Sequence, residues 1–338
     1  MKRILLRLVP ILVVLVAGVL ILYQILWAPN EFEGDRVVIV FKGMTFKQVV
    51  DSLETRGAIR NRKLFEMAGE ILNLTRDMKV GKYLLRSGMS NKQILDDLST
   101  GRSALRITVT IPEGLRAATQ ARIFARELGI DSAQFVRLVH DGAFVRSLGI
   151  DARSLEGFLF PASYRFYWQP EEEEVLRQMT GAFHAFYVDS LRARAKHLGL
   201  TTTEVLAVAS IVEGETMLDD ERPIIAGVYY NRLRKRMRLE ADPTIQYLIP
   251  GGPRRLRYGD LRITSPYNTY INYGLPPGPV NNPGAQSILA ALHPARHSYL
   301  YFVATGTGGH VFSRTYNEHQ NAVRRYRRLR SALDSQRG

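Results

Sequence analysis

The chain contains no cysteine. Disulfides and thiolate-held zinc are therefore excluded. The same absence says little about compartment, since an exported protein and a cytosolic one can both lack thiols. Tryptophan is scarce, at two residues, and histidine stands at seven. His293, His297, His310 and His319 follow one another without the tight spacing of metal ligands, so no metal site is expected from them. Acidic residues are in deficit, with 32 Asp and Glu against 46 Lys and Arg, a formal net charge of +14. Such a balance points to anionic partners: nucleic acid, an anionic membrane surface or an acidic polymer. There is no P-loop, dinucleotide fingerprint, HExxH or GxSxG, which removes the signatures of several large enzyme classes.

Charge is also missing from one long run. Between Leu8 and Ala28 no residue is charged and only Gln24 is strongly polar. About 20 helical residues cross the roughly 30 Å core of a bilayer, so the run predicts a transmembrane helix. It is too long for the apolar core of a cleavable signal and lacks a small-residue cleavage site. Lys2, Arg3 and Arg7 precede it, and Tyr23 and Trp27 sit where an interfacial anchor belongs. The predicted anchor covers 1–28, with the N-terminus in the cytoplasm and the rest of the chain outside. That orientation argues against nucleic acid and places the positive charge near anionic lipid or a wall polymer. The arginines of 232–238 and the basic C-terminus either face such anions or are simply solvated.

A polar linker, PNEFEGD (29–35), follows. The next segment, 36–103, reads strand, helix, helix, strand, helix. VVIVF and GKYLL are the strands, and Thr45, Asn61 and Ser90 stand at the helix starts. From 104 to 320 the pattern is mixed. ALRITVTIP is a linking strand, 113–129 and 132–141 read as helices, and SLEGFLFPASYRFY is an aromatic-rich loop. One long helix is expected over 171–200, its four leading glutamates matched to the helix dipole. DDERPIIAGVYYNRLRKR predicts a helix capped by Asp219 or Asp220, with Pro223 in its first turn. Residues 237–284 are rich in Pro, Gly, Tyr and Asn and read as a long loop region, the kind that carries function. SYLYFVA and HVFSR flank TGTGG as a hairpin. Residues 321–338 form a basic tail with a frayed helix. The fold class expected is α+β.

The stretch AVASIVEGETML raises the chemical question. Residues 205–212 are apolar nearly all round, which predicts a buried helix started at Thr201 or Thr202. It ends in Glu213 and Glu215, which lie ~200° apart around a helix and cannot both face one cleft. Burial and the negative end of the helix dipole both raise a carboxyl pKa there, the condition for a general acid near neutral pH. A solvated or salt-bridged glutamate is the plainer alternative.

ASIVEGET, YNRL, MRLEADPTIQY, SPYNTY, GLPPGPVNNPGAQS and YLYFVATGTGGHVFS, with LEGFLFPASY before them, resemble the ordered motifs of the endolytic murein transglycosylases, the membrane-anchored, YceG-like family. The resemblance runs from the anchor to about residue 320. It implies a bacterial inner-membrane enzyme whose 36–103 segment is a small LysM-like module and whose 104–320 segment is the larger, mixed α/β catalytic domain. It further implies cleavage of the MurNAc–GlcNAc β-1,4 bond of peptidoglycan glycan strands, with 1,6-anhydro ends, no cofactor, and peptidoglycan synthases as neighbours. Other lytic transglycosylases carry their acid in a Glu-Ser pair near a helix end. Glu215-Thr216 is the nearest match, so the resemblance assigns the acid to Glu215, with Glu213 as support or second choice. It also makes Asn231, Asp242, Thr244, Tyr267, Asn268, Tyr270 and His310 candidates to line the glycan groove or to brace its loops. Two positions depart from the family's pattern: Glu240, where Gln is usual, and Ala162-Ser163, where Asp-Thr is usual. A hydrolytic muramidase using Glu213 or Asp242 as its second carboxylate, and a non-catalytic peptidoglycan-binding or assembly protein, remain as other readings.

Overall fold

The computed structural model describes the backbone of residues 2–335 and the side chains of residues 9–330. Lys2, Arg3 and Arg7, and the end of the basic tail, therefore lie outside the described side chains. The chain is mixed α+β with one apolar N-terminal helix, and it divides into two compact units.

The first unit comprises Met1–Thr108, Glu127–Gly129 and Arg165–Pro170. It opens with α1 (Lys2–Leu26), whose Val9–Leu26 window has a mean hydropathy of 2.7, long and apolar enough to cross a membrane. Its side chains from Val9 to Tyr23 are exposed, whereas Ile25 and Leu26 are buried. There Asn91 donates to the Ile25 carbonyl at 2.8 Å, tying the end of the helix into the unit. β1 (Arg36–Val40) and β2 (Gly81–Leu85) pair antiparallel with Val38 opposite Tyr83. Between them lie α2 (Phe46–Thr55) and α3 (Arg62–Ile71), and α4 (Asn91–Thr100) follows. Thr45 and Ser90 cap α2 and α4 in full capping boxes with Gln48 and Gln93, and Asn61 caps α3. The inward stripes of these elements form one core that includes Val38, Leu53, Phe65, Tyr83, Leu85 and Leu95. Trp168, which returns to this unit, lies against Lys82, whose ammonium is 3.8 Å from its ring centre.

The second unit holds the remainder. β3 (Ile107–Thr110) and β4 (Ser163–Phe166) pair as a two-stranded ribbon. Between these strands come α5 (Ala117–Leu128), α6 (Ser132–Val139) and α7 (Gly142–Ser147). After β4 come α8 (Glu172–Phe186), α9 (Asp189–His197), α10 (Thr202–Glu215), α11 (Arg222–Arg234), α12 (Asp242–Leu248) and α13 (Ala285–Leu292). β5 (Tyr301–Ala304) and β6 (His310–Ser313) make the hairpin, and α14 (Tyr316–Ser335) is the last helix.

α10 is the pillar of this unit, packing on α11, α12 and α13. Every residue from Val205 to Val212 is buried. Thr201 starts the helix in a capping box with Glu204, one of the two threonines expected there. Ser210, buried in its middle, bonds outward to the loop. Its hydroxyl accepts from Val280 N at 3.0 Å, and its carbonyl accepts from Asn281 at 2.8 Å. Asn282 continues the stitch. Its side chain accepts from Gly157 N and Leu159 N and donates to Glu156 and to the Leu115 carbonyl. The LEGFLFP and VNNPG motifs thus meet against α10. Gly157 makes the meeting possible: its φ is +88°, and a Cβ there would lie 2.3 Å from Pro279 Cγ.

Several expected boundaries are corrected. The span 171–200 is two helices, broken where Tyr187, fully buried, leaves helical geometry and Val188 is extended. The helix expected from 113 starts at Ala117, because Gly114 has a φ of +72°. The helix read over 132–141 ends at Val139, and a further short helix, α7, begins after its cap Asp141. The long loop region contains α12, started by Asp242-Pro243 with proline in the first turn. α11 is led by Glu221 and has no side-chain cap; Asp219 instead pairs with Arg222 at 3.0 Å. α14 begins at Tyr316, ahead of the boundary drawn at 321.

Candidate active site

The last turn of α10 presents Glu213 and Glu215 in opposite directions. Glu213 points into a buried polar knot. It accepts from Arg222 at 2.9 Å and from Gly284 N at 3.0 Å, and both charged side chains are under a tenth exposed. Arg222 also contacts Asp219, Ser287 and, at 3.9 Å, Glu113. Both bonds to Glu213 end on Oε2, so the carboxylate is committed to structure.

Glu215 faces a different environment. The buried Tyr229 of α11 donates its phenol to Glu215 Oε1 at 2.6 Å. Burial pushes the Glu215 carboxyl up to about 7; the Tyr229 bond opposes this, nearby Asp242 adds to it, and Arg232 opposes it. Gly214, between the two glutamates, explains how Asp242 comes near: a Cβ there would lie 2.6 Å from Pro243 Cγ, so only glycine admits the start of α12. Asp242 in turn accepts from the Tyr270 phenol. Arg232 donates to the Leu239 carbonyl at 2.9 Å and to Glu240 at 3.2 Å. Glu240 therefore faces Arg232, the cation that favours ionised Glu215. The other departing position, Ser163, bonds Thr110 across the β3–β4 ribbon at 2.7 Å.

His310 closes a ring around this group. Its Nδ1 lies 2.6 Å from Glu221, which also accepts from Thr216, the residue after Glu215. Its ring stands edge-on to Phe302, and Phe302 stands edge-on to Tyr229. The structure thus brings together Glu215, Asp242, Tyr270 and His310 of the expected residues. Three others stand at bracing positions, the second of the two roles expected for them. Asn231 is buried and holds the His297 and Tyr299 carbonyls, each at 2.9 Å. Thr244, fully buried, bonds Thr269 and the Ala241 carbonyl. Asn268, also fully buried, holds the Leu261 and Ile263 carbonyls. Tyr267 packs on Tyr247 at 4.9 Å, and both phenols feel the charge of Glu156.

The sequence reading missed Tyr229, Arg232, Glu221 and Glu156. Ile225, Tyr229 and Arg232 share one face of α11, and all three are buried. That i, i+4, i+7 spacing was the available signal. Glu156 had none, since its environment is built from distant segments. It is buried, accepts from Ala117 N at 2.9 Å and from Asn282 at 2.8 Å, and burial pushes it up to about 7. The folded state therefore holds a proton that an unfolded carboxyl, titrating near 4.5, has released. Stability contributed here falls as pH rises from about 4.5 to 7. Glu156→Gln, which mimics the neutral acid, is expected to flatten that decline by about 2–3 kcal/mol, read as melting temperature against pH. An unchanged slope would show that the carboxyl is not protonated in the folded chain.

Among the described residues, no cluster of three or more His, Asp or Glu side chains is arranged to hold a metal ion. Comparison with known proteins adds the family. The model of the YceG-like family matches residues 38–325. A Bacillus subtilis protein named endolytic murein transglycosylase is 32% identical over 300 residues, covering 84% of this chain and 82% of its own length. A Streptococcus pneumoniae protein of the same name is 30% identical over 80% of this chain and 54% of its own. The crystal structure of a yceG-like protein from Listeria monocytogenes superposes with a TM-score of 0.61 at 30% identity, covering 86% of this chain and 99% of that one. With the family model spanning both units and relatives matched over most of its length, the chain belongs to the YceG-like family.

Proposed function

We propose that this lytic transglycosylase cuts the MurNAc–GlcNAc β-1,4 bond within peptidoglycan glycan strands, with Glu215 as acid and then base. The observation that carries the reading is the Glu215 carboxyl itself. It stands at the end of an apolar helix, keeps its proton up to about pH 7, and is held in place by Tyr229. A carboxyl poised there donates a proton to the glycosidic oxygen as the bond breaks. The 2-acetamido group of the muramyl sugar stabilises C1 as the leaving group departs. Glu215, now ionised and still bonded to Tyr229, takes the proton of the C6 hydroxyl as that oxygen attacks C1. The product is a 1,6-anhydro end and no water is consumed.

Hydrolysis would need a second carboxylate free to position water. Glu213 is tied to Arg222 and Gly284, and Asp242 is engaged by Tyr270, which favours the anhydro route. Asp242, Tyr270 and His310 are the proposed groove residues, with carboxylate, phenol and imidazole groups suited to sugar hydroxyls. The apolar, exposed length of α1 supports a single-pass anchor in the inner membrane, with the N-terminus cytoplasmic and the chain after α1 outside. The strand–helix–helix–strand order of the first unit supports a LysM-like module that binds the same polymer. Its neighbours in the membrane would be peptidoglycan synthases.

Mass spectrometry of the products formed by the intact protein in detergent on purified peptidoglycan tests this. Anhydromuramyl ends, one water lighter than reducing ends, are expected. Reducing ends alone would establish a muramidase, and binding without any cleavage would establish a non-catalytic peptidoglycan-binding protein.

Tyr229→Phe gives a finer check. It removes the bond that favours ionised Glu215, so the carboxyl holds its proton to higher pH. The high-pH limb of kcat/KM is expected to move upward by roughly half to one unit, the worth of one hydrogen bond. A limb that stays in place would detach Tyr229 from the acid.

A further inference from the structure

Beside the Asp242–Tyr270 pair lies a cleft of about 1170 Å³. One wall is the loop carrying Arg254, Arg255, Arg257 and Tyr258; the facing wall is α14, through Val323 and Arg327. The loop is pinned. The Gln246 side chain bonds both the nitrogen and the carbonyl of Arg254, at 3.1 and 2.6 Å. Asp260 takes both arms of Arg254, at 2.8 and 2.7 Å, and also accepts from Arg257 N at 2.7 Å. These bonds hold the Asp260 carboxyl down at about 2, so it stays ionised and committed to the loop. Arg254 is thereby spent on fixing the loop. Arg255 and Arg327 are exposed, and among the described residues neither has a carboxylate partner. Asp242, already engaged by Tyr270, is the acidic group on the lining. The cleft therefore offers uncommitted guanidinium forks, Arg255 on the pinned loop and Arg327 on α14, with Leu256 and Leu261 in the lining.

We propose that this cleft is a subsite for the carboxylate-bearing peptide stems of the glycan strand, so that stem-bearing glycan is the preferred substrate. The inference rests on the catalytic reading above. The cleft shares Asp242 and Tyr270 with the surroundings of Glu215, so its occupant hangs close to the scissile bond. The anionic substituent nearest that bond is the lactyl-linked peptide of the muramyl sugar, and guanidinium forks match its carboxylates. The aliphatic lining suits the methyl groups and methylenes of a short peptide. A strand's terminal diphosphate would instead sit at one chain end only.

The experiment compares kcat/KM of the intact protein on stem-bearing strands and on strands stripped of stems by an amidase. Wild type is expected to favour the former by about tenfold, the worth of one or two charge-assisted hydrogen bonds, and to lose that preference in high salt. The variant R255Q/R327Q is expected to bring the two rates within about twofold. Equal wild-type rates, or a variant that slows on both substrates in the same proportion, would overturn the proposal. A variant that keeps the stem preference but loses a preference for diphosphate-ended strands would make this a phosphate site instead. Cleavage of neither substrate by wild type would remove the catalytic reading and this one with it.

Discussion

Glu215→Gln is expected to lower glycan cleavage by about 10³–10⁴-fold while leaving the melting curve unchanged. The size follows from the role: one carboxyl serves both proton transfers, so its loss removes acid and base together. The selectivity follows from the geometry. Glutamine keeps the oxygen that accepts from Tyr229, and it fills the same half-buried space. It also resembles the neutral acid that burial favours there. The wild-type rate should fall as pH rises past about 7, where Glu215 loses its proton. Product mass spectrometry and a thermal melt of the same preparation measure both halves of the statement. A cleaving Glu215→Gln protein would remove Glu215 from the chemistry. Glu213→Gln should behave in the opposite way, losing stability before it loses chemistry, because that carboxylate answers a buried guanidinium.

Arg222→Met is the second large effect, and it falls on stability. Arg222 is buried and, among the described residues, is the single cation paired with Glu213, with Asp219 and Glu113 also drawn to it. Removing it leaves Glu213 buried with no counter-charge, a loss of roughly 3–5 kcal/mol. In a chain of this size that lowers the melting temperature of the second unit by roughly 10 °C. Burial and the Glu213 charge already push the Glu113 carboxyl up, and loss of Arg222 removes the cation that opposes that shift. Pairing the change with Glu213→Gln should recover part of the loss, since the orphaned charge is then gone. A single variant that melts within a degree or two of wild type would show that the knot is not a buried ion pair in solution.

Much of the fold was legible because it is local. Thr45, Asn61, Ser90 and Thr201 cap helices where their spacing to the next apolar run required. The all-round apolar run 205–212 is a buried pillar, since no face of it suits water. The opposed directions of Glu213 and Glu215 followed from helical geometry alone. Where packing overruled pattern, the reading failed. The break at Tyr187 exists because its ring enters the core, and α12 exists inside a loop-like composition because Pro243 fits against Gly214.

The sequence by itself determined the anchor-length apolar helix, the net positive charge and the place of two glutamates at one helix end. Tertiary structure decided what those glutamates are. The same side chain is an inert half of an ion pair at 213, where Arg222 and Gly284 meet it, and a proton-holding acid at 215, where Tyr229 and the nearby Asp242 do. A carboxyl's pKa is set by what surrounds it in space, and here every one of those neighbours comes from another helix or loop.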